Sequence, residues 1–147
     1  MLLQSCDFIG ELIENDAEYI SKSQLYIGDL TLFLPKNKMI QYLGRPDSIT
    51  GNWYHYDRLE ILVEKASGIW DIICSNPKYL TPDGIKVGDS KEKVINTYGR
   101  TISFKKDKME TMIYEHFSII VETVPLYLKF EIEDNIVAKI RLWFHYE

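Results

Sequence analysis

IKVGDSKEKVINTYGR, residues 85–100, decides the reading of the fold, because the chain carries a second version of it. Fifty-five positions earlier, Leu32 to Arg45, LFLPKNKMIQYLGR, lies without a gap on Val87 to Arg100. Five of those fourteen positions are identical: Lys36/Lys91, Lys38/Lys93, Ile40/Ile95, Gly44/Gly99 and Arg45/Arg100. A further echo follows, with Tyr56–Glu64, YDRLEILVE, lying on Tyr114–Glu122, YEHFSIIVE. An internal repeat of this kind constrains the architecture before any single element does.

Each copy of the stretch reads as a short helix. Pro35 opens the first and Ser90 caps the second, with Glu92 in its first turn. Met39, Ile40 and Leu43 form the inward stripe of one, Val94, Ile95 and Tyr98 that of the other. Gly44 and Gly99 stop them. After each helix comes a hairpin. In the first, Trp53–Tyr56 and Leu59–Glu64 flank Asp57-Arg58; in the second, Met112, Tyr114, Phe117, Ile119 and Val121 point inward, opposite Ile113, Ser118, Ile120 and Glu122. A third strand closes each copy, Ile69–Cys74 and Ile136–Tyr146, and Tyr127–Ile132 pairs with the latter. Leu30–Leu34 reads as a strand leading into the first helix.

Outside the repeats, residues 7–20 form an amphipathic helix. Phe8, Ile9, Leu12, Ile13, Ala17 and Ile20 lie on one face, with acidic residues opposite. The organisation is therefore 1–29, N-terminal helix and lead-in; 30–76, repeat one; 77–84, the linker PKYLTPDG; and 85–147, repeat two, all within one domain. The fold class expected is α+β: two tandem α-β-β-β units forming one antiparallel sheet, with helices packed on one face.

Composition narrows the function. The apolar share of 46% and aromatic share of 13% supply a core within 147 residues. Net charge is −5, and no Lys/Arg run exceeds two residues, so the basic face that nucleic-acid binding requires is missing. An acidic chain suits a basic partner. No apolar run is long enough to span a membrane. Cys6 and Cys74 form no metal or disulfide framework. Leu3-Gln4-Ser5-Cys6 matches the end of a lipoprotein signal, yet lacks the charged and apolar regions that precede one, and runs into a helix.

GDSKEKVINTYG and YLGRPD, each followed by an aromatic-rich hairpin, resemble two families. One is the SmpA/OmlA-type envelope lipoprotein domain, whose helix ends in a similar turn. The other is the β-lactamase inhibitory protein, built from two such repeats. The resemblance spans residues 30–146 by motif and layout. It implies an open sheet face that grips another protein with aromatic residues. The second turn departs from the pattern, with Arg100-Thr101 where Pro-Asp stands in the family.

Motifs for nucleophilic, metal or phosphate chemistry are absent, and His55, His116 and His145 do not cluster in the repeat pairing. The expectation is a non-enzyme with no cofactor and no metal. Alternation places Trp53, His55, Glu60, Leu62, Glu64 and Trp70 from repeat one on the sheet face away from the helices. Repeat two adds Ile120, Glu122, Lys139, Arg141, Trp143 and His145. Tryptophans and an arginine among carboxylates are the composition of interface hot spots. The favoured function is a cytoplasmic immunity protein that neutralises a basic toxin domain by occlusion. Alternatives are an envelope lipoprotein or scaffold lipidated at Cys6, and a ligand-binding domain or enzyme with a pocket between the repeats. The N-terminal helix or a second copy, as a homodimer, could instead cover the face.

Overall fold

Two glycines end two helices in the same way. The computed structural model describes residues 20–101, 103–116 and 125–144, and within them α1 spans Lys36–Leu43 and α2 spans Lys91–Tyr98. Gly44 and Gly99 follow at φ 83° and 91°, and each donates its N–H to the carbonyl four residues back, Ile40 or Ile95, at 2.7 Å. An L side chain resists that backbone conformation, so glycine lets the chain turn towards its hairpin. The starts differ. Ser90 Oγ accepts the Lys93 N–H at 3.1 Å. Pro35 sits at the N-cap of α1, not in its first turn, and provides no side-chain cap.

Eight strands form one sheet. They are β1 Ser48–Thr50, β2 Trp53–Tyr56, β3 Leu59–Glu64, β4 Gly68–Cys74, β5 Ser103–Lys106, β6 Met109–His116, β7 Leu126–Glu133 and β8 Ile136–Phe144. Their order is β1-β2-β3-β4-β8-β7-β6-β5, antiparallel throughout. Each helix is thus followed by a four-strand meander, and the meanders meet at β4 and β8. Only Asp71–Cys74 against Ile140–Trp143 join them there. Further along, the edge of β8 is taken by residues 88–91. Gly88 N–H donates to Val137 O, Val137 N–H to Asp89 O and Lys91 N–H to Asn135 O, each at 2.8 Å. The stretch that specifies α2 therefore also completes the pairing of β8.

The α+β class expected from the sequence is corrected by this architecture, which is dominated by its sheet. Each helix has eight residues, and between them only Met39, Val94 and Tyr98 are buried. A two-turn helix presents an apolar stripe of only a few residues, too little to cover eight strands. Irregular chain covers much of the rest, burying Leu25, Ile27, Leu30 and Leu32 before α1, and Thr81 and Ile85 before α2. Leu30–Leu34 is not a strand. Phe33 adopts a left-handed conformation (φ 68°), its N–H donates to Ile69 O at 2.7 Å, and Leu34 O accepts from Ile69 N–H at 3.0 Å. Gly68 permits this approach, since a Cβ there would stand 2.5 Å from Leu34 O.

Further corrections concern the strands. Each meander has four strands, not three, because β1 and β5 are too short to show alternation. The Asp57-Arg58 turn holds, with Tyr56 opposite Leu59. In the second meander the strand continues past Tyr114 without turning. There β6 runs on to His116 and pairs with β7, while the tight turn is Asp107-Lys108. The expected pairing of Tyr127–Ile132 with β8 is present. The N-terminal helix up to residue 19, Cys6, and the positions assigned to Phe117–Glu122 and His145 lie outside the described residues.

On the covered side the two halves are filled differently. Tyr98, Tyr114 and Phe130 form an aromatic cluster, with ring centroids 5.4 to 6.1 Å apart. Tyr114 donates its hydroxyl to Gly99 O at 2.6 Å and Tyr98 donates to Thr81 Oγ1 at 2.9 Å. Burial pushes both hydroxyls far above the ordinary tyrosine range. In the first half, Tyr56 makes the counterpart bond to Gly44 O at 2.9 Å, over a core of Met39, Leu59, Ile61 and Val63.

Candidate protein-binding face

Strand alternation sends every second side chain to the side of the sheet opposite the core. Two register rows cross the middle of that open face. One is Trp53, Leu62, Asp71, Trp143, Tyr127 and Glu115; the other is His55, Glu60, Ile73, Arg141, Lys129 and Ile113. Glu64 stands two residues beyond Leu62, and Lys139 two beyond Arg141. The structure therefore brings together Trp53, His55, Glu60, Leu62, Glu64, Lys139, Arg141 and Trp143 on one face, as alternation implies. Glu122 and His145 are not among the described residues.

Trp70 is not on this face. Val63 pairs with Ile69 and Leu62 with Asp71, so Trp70 is the extra residue of a β-bulge. A bulge puts successive side chains on one side, and here both Ile69 and Trp70 turn towards the core. The Trp70 ring meets Phe144 edge-on at 5.3 Å, and its indole N–H donates to Ser67 Oγ at 2.7 Å. A second irregularity in the β7–β8 register makes Ala138 the extra residue. It reverses the expected pattern, so Val137 is buried and Ile136 is exposed.

The first bulge also delivers a residue that alternation hides. Asp71, shifted to the open side, is fully buried there, and its carboxylate takes Arg141 in a two-pronged contact: Nε to Oδ1 at 3.0 Å and Nη2 to Oδ2 at 2.6 Å. This planar geometry fixes the guanidinium in direction as well as place. It lies 4.5 Å over the Trp143 ring, which packs on Tyr127 at 5.1 Å, with Lys129 Nζ 5.4 Å from the same indole. Lys129 also pairs with Glu131 at 3.0 Å. On the first half, His55 Nδ1 stands 3.4 Å from Glu60 Oε2, and Glu64 accepts from Ala66 N–H at 3.3 Å. Tyr127, Lys129 and Glu131 follow from the alternation of β7 once it is paired with β8.

Other sites offer less chemistry. A cavity of about 250 Å³ lies between the β5–β6 and β7–β8 turns, lined by Lys105, Asp107, Lys108, Met109, Glu110, Ile132, Asp134 and Asn135. Glu110 is already paired with Lys91 at 2.9 Å. Among the described residues no group of three or more His, Cys, Asp or Glu is placed to hold a metal ion, and no helix is long and apolar enough to cross a membrane. Cys74 is buried, and burial raises its thiol above the ordinary range.

No protein-family model and no curated protein matches the chain. A solved structure of an extracellular protein containing a SCP domain, from Bacillus anthracis str. Ames, superposes with a TM-score of 0.49 and 13% identity. The match covers 76% of this chain and 43% of that one, so the chain spans less than half the length of that protein.

Proposed function

We propose that the protein is a non-catalytic binding module that neutralises another protein by occlusion, in the manner of an immunity protein, with the open sheet face as its contact. The observation that carries the reading is the stack of Arg141 and Lys129 on Trp143 and Tyr127, anchored through Asp71. Aromatic and arginine side chains held rigid before binding lose little freedom on association, which is what distinguishes hot spots from ordinary surface. The net charge of −5 supports a basic partner drawn in by long-range attraction. The matching glycine stops and tyrosine hydrogen bonds of the two halves support descent from one duplicated unit.

The test is capture of a stoichiometric partner by the intact chain, followed by an assay of that partner's activity. Inhibition by the wild type, weakened about 30-fold by Trp143→Ala with the fold retained, is the expected result. A partner bound equally by Trp143→Ala and Trp53→Ala variants, or bound without inhibition, would reject the reading.

A further inference from the structure

We propose that the β5 edge of the sheet takes an extended acidic segment of another protein as an added antiparallel strand. This goes beyond the binding reading, because the contact is main chain at an edge and not side chains on a face. Asp107-Lys108 is a two-residue turn, so the flanking Lys106 and Met109 exchange backbone hydrogen bonds, as do Phe104 and Thr111. The N–H and C=O of Ser103 and Lys105 therefore point away from β6, and no group among the described residues takes them. A strand laid along β5 pairs with exactly these groups, and antiparallel pairing is the more stable way to do so.

The side chains select the kind of segment. An edge that only repels neighbours is blunted by charge or proline. Yet β5 carries Phe104, 59% exposed, the most exposed large hydrophobic side chain among the described residues. Met112 is buried in the core, so the register sets Ser103 and Lys105 on the core side of the sheet and Phe104 and Lys106 on the open side. An apolar residue of the added strand lies beside Phe104. Its neighbour in sequence, on the other side, lies beside Lys105, which with Lys108 lines the cavity of about 250 Å³. A carboxylate suits that position. Lys105, Lys106 and Lys108 make no ion pair among the described residues, and only Asp107 opposes them at the hairpin tip. Glu110, across from Lys105, is already held by Lys91 at 2.9 Å and by the Ser103 hydroxyl. Glu133 on β7, and Asp134 after it, stand three strand spacings from an incoming chain, about 14 Å, beyond the screening length of about 8 Å.

The probe is a fluorescein-labelled peptide of alternating glutamate and valine, about six residues long like a typical strand, titrated with the full chain and followed by anisotropy. It is expected to bind, less tightly as salt is raised, while a lysine–valine peptide of the same length does not. Lys105→Pro deletes an outward N–H that β6 does not use, at a place where an edge strand accepts proline. It should weaken binding about tenfold, with circular dichroism confirming the fold. Methylating the glutamate nitrogens of the peptide, which face β5 when their side chains lie beside Lys105, should weaken its binding to the wild type as much. That arm reads the main-chain contact without altering the protein. No binding of the acidic peptide, equal binding of the basic one, or indifference to either the proline or the methyl groups would each overturn the proposal. None of those results bears on inhibition of a partner through the open face, which is read in a separate assay.

Discussion

The two halves of the sheet follow one plan and fill it differently. The second half is secured by aromatic packing, a side-chain helix cap and long strands: β6 and β7 share eight residue pairs, whereas β2 and β3 share four. The first half relies on aliphatic packing and a proline start. Its Tyr56 is only partly buried, whereas the counterpart Tyr114 is fully enclosed. A strand plan therefore tolerates exchange of its filling so long as the turn-back after the helix is kept, and that turn-back is a glycine carbonyl met by a tyrosine hydroxyl in both halves.

Substitutions at the two cores should break this comparison most sharply. Phe130→Ala, which removes a ring from the aromatic cluster, should cost about 4 kcal/mol in urea unfolding, against about 3 kcal/mol for Met39→Ala. An equal or reversed order would show that the second half is not the more tightly held. At the seam, Arg141→Met removes the two-pronged contact to the buried Asp71 carboxylate and should cost about 3 kcal/mol. The double change Asp71→Leu with Arg141→Met should recover most of that loss, because it removes both members of the buried pair together.

A smaller effect should appear on acidification. Burial of Asp89 opposes its ionisation, but hydrogen bonds from the Lys86 side chain, the Lys86 backbone N–H and the Lys93 side chain outweigh it, lowering its pKa from 3.8 to about 2. A carboxyl depressed in the folded state stabilises fully above its unfolded value. That contribution, on the order of 2 kcal/mol, should fade as pH falls from about 4 to about 2. Glu110, also buried but lowered by Lys91 and Ser103, adds in the same direction. Urea midpoints measured across this range should flatten in Asp89→Asn. Smallest of all, Ser90→Ala should cost about 1 kcal/mol, while the same measurement on Pro35→Ala tests whether α1 does without a side-chain cap.

Much of the plan was legible in the sequence because its signals are local. Gly44, Gly99 and Ser90 mark helix ends through backbone geometry alone, and the spacing of Ile140, Leu142 and Phe144 assigns one side of β8 wherever that strand goes. Bulges are not legible in this way. One added residue changes neither composition nor strand propensity, so alternation carried through Trp70 and Ala138 put Trp70 on the wrong side, hid Asp71, and exchanged Ile136 with Val137. The helix layer was overestimated for a related reason. Periodicity shows which face of a helix is apolar, but not that two turns leave most of a wide sheet to be covered by irregular chain.

The narrow seam has a consequence during synthesis. About 70 residues separate the ends of β4 and β8. At ribosomal rates of 5–20 residues per second, that interval corresponds to roughly 4 to 14 s. Throughout it the first meander can fold, yet the edge of β4, carrying the core residues Ile72 and Cys74, has no partner of its own. A nascent chain in that state displays an apolar strand edge to neighbouring nascent chains on the same messenger. Crowded translation, more than any weakness of the finished fold, is therefore where this protein is most exposed to mispairing.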